Sequence, residues 1–280
     1  LTAFNVQVHI VQHRFFGGLI VAEGDLFVRE IMTDRIVSVK VTDDQEKVAT
    51  FMRDYDFLAI PVITDERELQ GIITVDDIID VIDEEAEDDY SKLAGISDMD
   101  DIDAGPLNAA GKRLPWLIIL LFLGMITSGL IGIFEATLDK VALLATFIPL
   151  ISGTSGNSGT QALAVAIRGI ATGDIGGKSK FRLVLRELGT GLIMGIVSGA
   201  LVVGIIFVWK GTFIIGLLVG AAICCSIIVA TLAGSFIPII MHKLGVDPAV
   251  ASGPFITTLN DVTSIVIYLG LASTFINQIM

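Results

Sequence analysis

Chemistry can first be built on Asp261. It is the one acidic side chain expected inside a long apolar stretch, Pro248–Met280, some 13 residues in. At 1.5 Å per residue that is roughly 20 Å along a helix. An ionised carboxylate near a bilayer midplane costs about 2.5–3.5 kcal/mol even on lenient scales, and such groups usually mark an ion path. No Lys or Arg is expected deep in any apolar stretch to pair with it. A cation site is therefore read ahead of a proton relay or a buried ion pair. Thr257 lies four residues earlier and so on the same helical face, with Thr258 beside it. Asp247, 14 residues before Asp261, stands at the mouth of the stretch and nearly on that face. A second oxygen-rich piece is Pro149–Gln161, PLISGTSGNSGTQ, where Gly153, Gly156 and Gly159 recur among Ser, Thr and Asn. The cost of glycine in a helix predicts broken backbone here. Irregular backbone at membrane depth survives where it lines a cavity or is covered by protein; close packing through small residues is the alternative. Neither motif carries Cys, His or Met, which argues against copper or zinc. Oxygen ligands suit a hard, hydrated divalent ion such as Mg²⁺, with cobalt, manganese and nickel as secondary ions.

The elements that must position these residues follow from hydropathy and charge. The chain has 280 residues, 53% of them hydrophobic and 18% charged, at a mean hydropathy of +0.78. Soluble domains are usually less apolar and carry about 25% charged residues, so a wholly soluble or disordered chain is excluded. Residues 1–113 hold 25 acidic and 10 basic side chains, while residues 114–280 hold 6 and 8. An acidic soluble head thus precedes a nearly neutral membrane body. That acidity excludes nucleic acid as a partner, since its phosphates would be repelled. Five spans are predicted, at Pro115–Phe134, Val141–Ile167, Leu188–Trp209, Gly211–Met241 and Pro248–Met280. Lys112, Arg113, Arg168, Lys178, Lys180, Arg182, Arg186 and Lys243 fall on one side, which the positive-inside rule makes cytoplasmic. The expectation is a multi-pass cell-membrane protein, its head cytoplasmic and Met280 outside. Cys224 and Cys225 are adjacent, a poor geometry for bridging each other, and are read as small core residues. No signal peptide is read at the N-terminus, and the start at Leu1 suggests a piece of a longer protein.

The soluble half alternates strand-like and helix-like runs. Ile36–Val41 is β-branched, and Asp43–Glu46 opens an amphipathic helix to about Tyr55. Ala59–Ile63 and Gly71–Thr74 read as strands, and Thr74 as the N-cap of a helix from Val75 to about Glu87. Residues 28–83, with VREIMT, AIPVI and GIITVDDIIDVI, resemble a cystathionine-β-synthase-type (CBS) domain. The fold class expected is an α-helical membrane protein of five spans with a small α/β cytosolic CBS domain. Its divisions are residues 1–27 (unassigned, a remnant of a first CBS module), 28–90 (CBS domain), 91–114 (acidic connector with a helix near Ala104–Arg113) and 115–280 (pore domain).

Residues 28–280 as a whole resemble the MgtE-type magnesium transporters, most strongly in PLISGTSGNSGTQALAVAIRGIATGD (149–174) and LGVDPAVASGPFITTLNDVTSIVIY (244–268). The resemblance implies a homodimeric channel whose second and fifth spans line the pore, with Asp261 as the selectivity-filter carboxylate. Gly153, Gly156 and Asn157 fall on pore positions. Thr160 stands where the family often has Asn, and Thr257 where it has a small apolar residue. By the same resemblance cytosolic Mg²⁺ binds the acidic head, at Asp77, Asp80, Glu85, Asp88 and Asp89, with Asp247 at the pore mouth, and closes the pore. Dense like charge there and at Asp98, Asp100, Asp101 and Asp103 would be relieved by divalent ions between subunits. CBS modules often bind adenine nucleotides, and Thr74 and Asp77 match positions that contact ribose or phosphate. The expected activity is passive entry of Mg²⁺ through a membrane-embedded channel, not an enzymatic one. An intramembrane aspartyl protease would need two aspartates to share a proton. The rival readings are an ion-coupled divalent-cation exchanger and a membrane-tethered nucleotide sensor.

Overall fold

The computed structural model describes residues 36–96, 105–172 and 178–279. The expected remnant at 1–27, the VREIMT piece and the connector acids Asp98, Asp100, Asp101 and Asp103 lie outside the described residues. The chain divides into two compact units, one ending at Asp88 and the other beginning at Asp89.

The first unit builds the expected β-α-β-β-α order. Strand β1 is Val39–Lys40, helix α1 Gln45–Asp54, β2 Ala59–Ile63, β3 Leu69–Thr74 and α2 Val75–Ala94, whose last turns lie beyond the division. β1 pairs parallel with β2, and β3 antiparallel with β2. Asp44 caps α1 by accepting from Glu46 N at 3.0 Å, which satisfies an otherwise free donor of the first turn. Val48, Ala49 and Met52 of α1 close over Val39, Ile60 and Ile78. β1 is shorter than the predicted Ile36–Val41, because only two residues find partners on β2.

The second unit is helical. α3 is Pro106–Ile133, α4 Glu135–Lys140, α5 Ile148–Ala171, α6 Lys178–Lys210, α7 Phe213–Lys243, α8 Gly253–Thr274 and α9 Ile276–Ile279. Among the described residues α3, α6, α7 and α8 are long and apolar enough to cross a membrane. The expected second span is the exception: its polar residues keep α5, at 24 residues, out of that set. α5 is instead enclosed, burying one face (Ile151, Ser155, Gly159, Ala162, Leu163, Ala166) against α7 and α8. The expected connecting helix near Ala104–Arg113 is the beginning of α3, which runs unbroken through Gly111 and Pro115. Prolines are accommodated in such apolar helices by local adjustment. α3 buries none of its own residues in the chain.

α6 and α7 pack backbone to backbone. A β-carbon on Gly199 would stand 2.6 Å from Gly220 O, and one on Gly220 would stand 2.7 Å from Gly199 O. Small residues at four-residue spacing permit this approach where no hydrophobic force separates protein from lipid.

Candidate ion pathway

α8 carries Asp261. Ser252, fully buried, starts the helix by accepting from Phe255 N, and Pro254 occupies its first turn, where the missing N–H costs nothing. Because α8 starts at Gly253, Asp261 lies eight residues in, about 12 Å, not the roughly 20 Å expected from Pro248. Residues 248–250 form a separate 3₁₀ turn, so Asp247 is off the helix and shares no face with Asp261. Asp261 is half-buried, and no residue among those described pairs with its carboxylate. An unpaired carboxylate enclosed on part of its surface attracts cations.

The glycine-rich segment does not break. Ile148–Ala171 is one continuous helix, which corrects the expectation of irregular backbone. Two causes are visible. Thr154 Oγ1 donates to Leu150 O at 2.6 Å, Ser158 Oγ to Thr154 O at 2.9 Å and Thr160 Oγ1 to Gly156 O at 3.0 Å, so the hydroxyls are spent along the helix itself. The glycines are contact points: a β-carbon on Gly156 would stand 2.9 Å from the Thr257 methyl, and one on Gly159 would overlap Asn260 Nδ2. The small-residue packing alternative thus accounts for Gly156 and Gly159, and α5 and α8 interlock there.

The predicted residues separate into two groups. Gly153 and Asn157 are exposed on one side of α5, in line with exposed Gln161. Gly156 is buried against Thr257; Thr160 and Thr257 are half-buried. Thr257 Oγ1 donates to Gly253 O and Thr258 Oγ1 to Pro254 O, each at 2.9 Å. Their lone pairs stay available to water or a cation. The structure therefore brings Gly156 and Thr257 together, leaves Gly153 and Asn157 on an exposed face of α5, and encloses Asp261 only in part.

At the start of α8, Asp247 Oδ1 accepts from Ala249 N at 2.9 Å, and its other oxygen accepts from Lys92 Nζ. Both side chains are about a third exposed, 32% and 39%, so solvent screening holds this pair to about 1 kcal/mol or less. Ser91–Gly95, the tail of α2 and its end, lies here: Leu93 O is 3.1 Å, and Pro254 Cγ 3.3 Å, from where β-carbons on Gly253 and Gly95 would stand. Gly95 takes φ +73, a conformation that favours glycine.

The acidic residues of α2 are dispersed along the helix. Asp77 and Asp80 are exposed, Glu85 accepts from Gln45 Nε2 at 2.7 Å, and Asp88 and Asp89 also have partners. Among the described residues no three His, Cys, Asp or Glu side chains converge as a metal site. Thr74 donates to Asp77 Oδ2 through both Oγ1, at 2.5 Å, and N, at 3.1 Å. These bonds to the ionised form hold the Asp77 carboxyl below the usual range.

Three residues escaped the sequence reading. Asn260 is fully buried with neither amide atom paired, and only its place beside Asp261 signalled it. Glu187, placed just outside a span by hydropathy, is inside α6 and 5% exposed. Asp261 is therefore not the only enclosed acid. Arg186, largely exposed, reaches it at 2.9 Å. Tyr268, fully buried, donates to Leu144 O at 2.9 Å and ties α8 to the turn before α5.

Comparison with known proteins bears on this arrangement. Residues 148–271 match the family model described as MgtE, divalent cation transporter, and residues 28–84 match the CBS domain model. The magnesium transporter MgtE of Enterococcus faecalis is 52% identical over 267 residues, covering 95% of this chain and 59% of the relative. The Bacillus subtilis MgtE is 43% identical, covering 100% and 62%, and that of Thermus thermophilus 40%, covering 91% and 57%. The chain therefore spans about three-fifths of the length of these curated relatives. A crystal structure of the cytosolic domain of the Mg²⁺ channel MgtE in complex with ATP matches at 49% identity over 23% of this chain and 26% of that one. Its TM-score is 0.23, an overlap too limited to bear on the architecture. These matches make the chain a member of the MgtE family, with a CBS domain ahead of its long apolar helices.

Proposed function

We propose that this chain forms a homodimeric Mg²⁺ channel that admits the ion to the cytoplasm. The observation that carries the reading is Asp261: a half-buried carboxylate on an apolar helix, unpaired among the described residues and within the segment matched to divalent cation transporters. Its side of α8 and the exposed line Gly153–Asn157–Gln161 of α5 are the surfaces a second copy would complete. Two Asp261 carboxylates facing across a two-fold axis could hold a hydrated divalent ion through its waters, as befits an ion that gives up water reluctantly. Gly156, Thr160 and Thr257 would then shape the wall from behind. In this reading the membrane body crosses the lipid five times, α5 being covered by protein, with the CBS domain cytoplasmic and the C-terminus outside. The divisions proposed are residues 28–90, 91–114 and 115–280, with 1–27 left unassigned.

Gating by intracellular Mg²⁺ belongs to the same proposal. Asp77, Asp80, Glu85, Asp88 and Asp89 do not form a metal cluster within the chain's described residues, so such ions would have to be shared between subunits. The tail of α2 at Asp247 is where a change in the head would reach the start of α8. An adenine nucleotide at Thr74 and Asp77 is a further part; it would have to replace the bonds these two residues make with each other. The chemistry is passive, with no enzymatic step.

The test is Mg²⁺ uptake by the purified chain in liposomes under an imposed potential. The parent should conduct, and Asp261→Ala should lose on the order of 10²-fold or more, as expected when a preorganised charge is removed. Uptake by Asp261→Ala at the parent's rate would sink the assignment. Uphill Mg²⁺ movement driven by a Na⁺ or pH gradient would identify the exchanger instead.

A further inference from the structure

Asn260 is fully buried where α8 meets α5, and neither Oδ1 nor Nδ2 has a partner among the described residues. Gly159 leaves it room, for a β-carbon there would overlap Nδ2, with the Ile256 methyl 3.2 Å away. A carboxamide presents two donors and two acceptor lone pairs, and buried polar groups are almost always satisfied. Four hydroxyls of these helices are engaged elsewhere. Ser155 donates to Ser152 O, Ser158 to Thr154 O, Thr263 to Asn260 O and Ser264 to Asp261 O, so each proton is spent within its own helix.

We propose that Asn260 is a positioning residue for Asp261, its carboxamide holding a buried water that ties α8 to α5. A small ligand that both donates and accepts fits an amide with every site open, and buried waters typically make about three such bonds. Successive residues of a helix stand about 100° apart. Seating Asn260 in the notch at Gly159 therefore fixes the rotation of α8 and leaves Asp261 on the half-open side. The inference rests on reading α8 as an ion-path helix, but its structural half can be tested alone.

Two substitutions separate polarity from shape. Asn260→Leu keeps roughly the volume and removes the hydrogen bonding; Asn260→Ser keeps a group that can hold water and gives up volume. Mg²⁺ uptake in liposomes, and its ratio to Co²⁺ uptake, are measured for parent and variants of equal melting temperature. Asn260→Leu should lose uptake on the order of 10-fold or more, the scale expected when a reacting group is misplaced by a fraction of an ångström, and shift the Mg²⁺/Co²⁺ ratio. Asn260→Ser should stay within about threefold and keep the ratio. The idea is overturned if Asn260→Leu matches the parent in both, or if Asn260→Ser falls as far as Asn260→Leu. Should Asn260→Leu fail to fold, a density map of the parent sharp enough to show waters decides the matter: a peak within hydrogen-bonding distance of the amide supports the proposal, and none overturns it. A parent that carries no Mg²⁺ would defeat the ion-path reading, while that map would still settle whether the amide holds water.

Discussion

Gly199→Ala should loosen the membrane body by prising α6 from α7. The added β-carbon would stand 2.6 Å from Gly220 O and 3.3 Å from Gly220 C, both backbone atoms that no rotamer change can move aside. Reaching an ordinary contact of about 3.4 Å requires the helices to part by about 0.8 Å there, a gap that forfeits a quarter to a half of the dispersion of each facing pair. Overpacking of this kind costs about 1–3 kcal/mol, against which alanine returns up to about 1 kcal/mol of helix propensity. A net loss of about 1 kcal/mol, the middle of that balance, corresponds to a melting temperature lower by about 2–4 °C for a unit of this size. Gly204→Ala is the control. It lies on the same helix with nothing within 4 Å of its β-carbon, so only the propensity gain remains. Thermal unfolding of both variants in one detergent provides the assay. If Gly199→Ala melts with the parent, or Gly204→Ala falls as far, backbone contact is not what joins α6 and α7.

Two other substitutions test local bonds. Tyr268→Phe removes the donor to Leu144 O and leaves a buried carbonyl unpaired, at about 1–2 kcal/mol, since hydrogen bonds among membrane helices rarely exceed that; an unchanged melting temperature would show that the carbonyl finds another donor. Thr74→Val removes the hydroxyl donated to Asp77 and should raise that carboxyl toward its ordinary value, read by NMR titration. Asp77's folded value is lowered, so its contribution is present above the unfolded value and lost as pH falls through the folded one. The acid limb of the stability curve should flatten in Thr74→Val, and an unaltered limb would refute the linkage.

Much of the architecture was legible in the chain because its signals are local. The strand-helix order of the head came from alternation and capping residues, and the β2, β3 and α2 runs stand close to where turn and cap chemistry put them. Helix starts were less legible. α8 begins at Gly253 rather than Pro248 because Asp247 and Pro248 first fold a 3₁₀ turn, and this moved Asp261 nearer the helix start. α6 begins ten residues before its apolar stretch, so hydropathy alone left Glu187 outside. The glycine-rich segment misled for a different reason. Glycine cost was weighed residue by residue, whereas four hydroxyls bonding back along α5 and two glycine contacts with α8 make a continuous helix the better state.

The sequence by itself determined that an acidic head precedes a long apolar body, that an acid stands in its last apolar stretch, and that the polar side chains around it offer oxygen and no thiol, thioether or imidazole. Composition and periodicity carry these, because transfer to lipid and charge type are properties of the residues themselves. Only the tertiary structure decided that Gly156 and Gly159 are seats for Thr257 and Asn260, that Lys92 meets Asp247, and that Asn260 is enclosed without a partner. Each depends on which helices lie side by side, and burial is set by neighbours distant along the chain, which no local run of residues specifies.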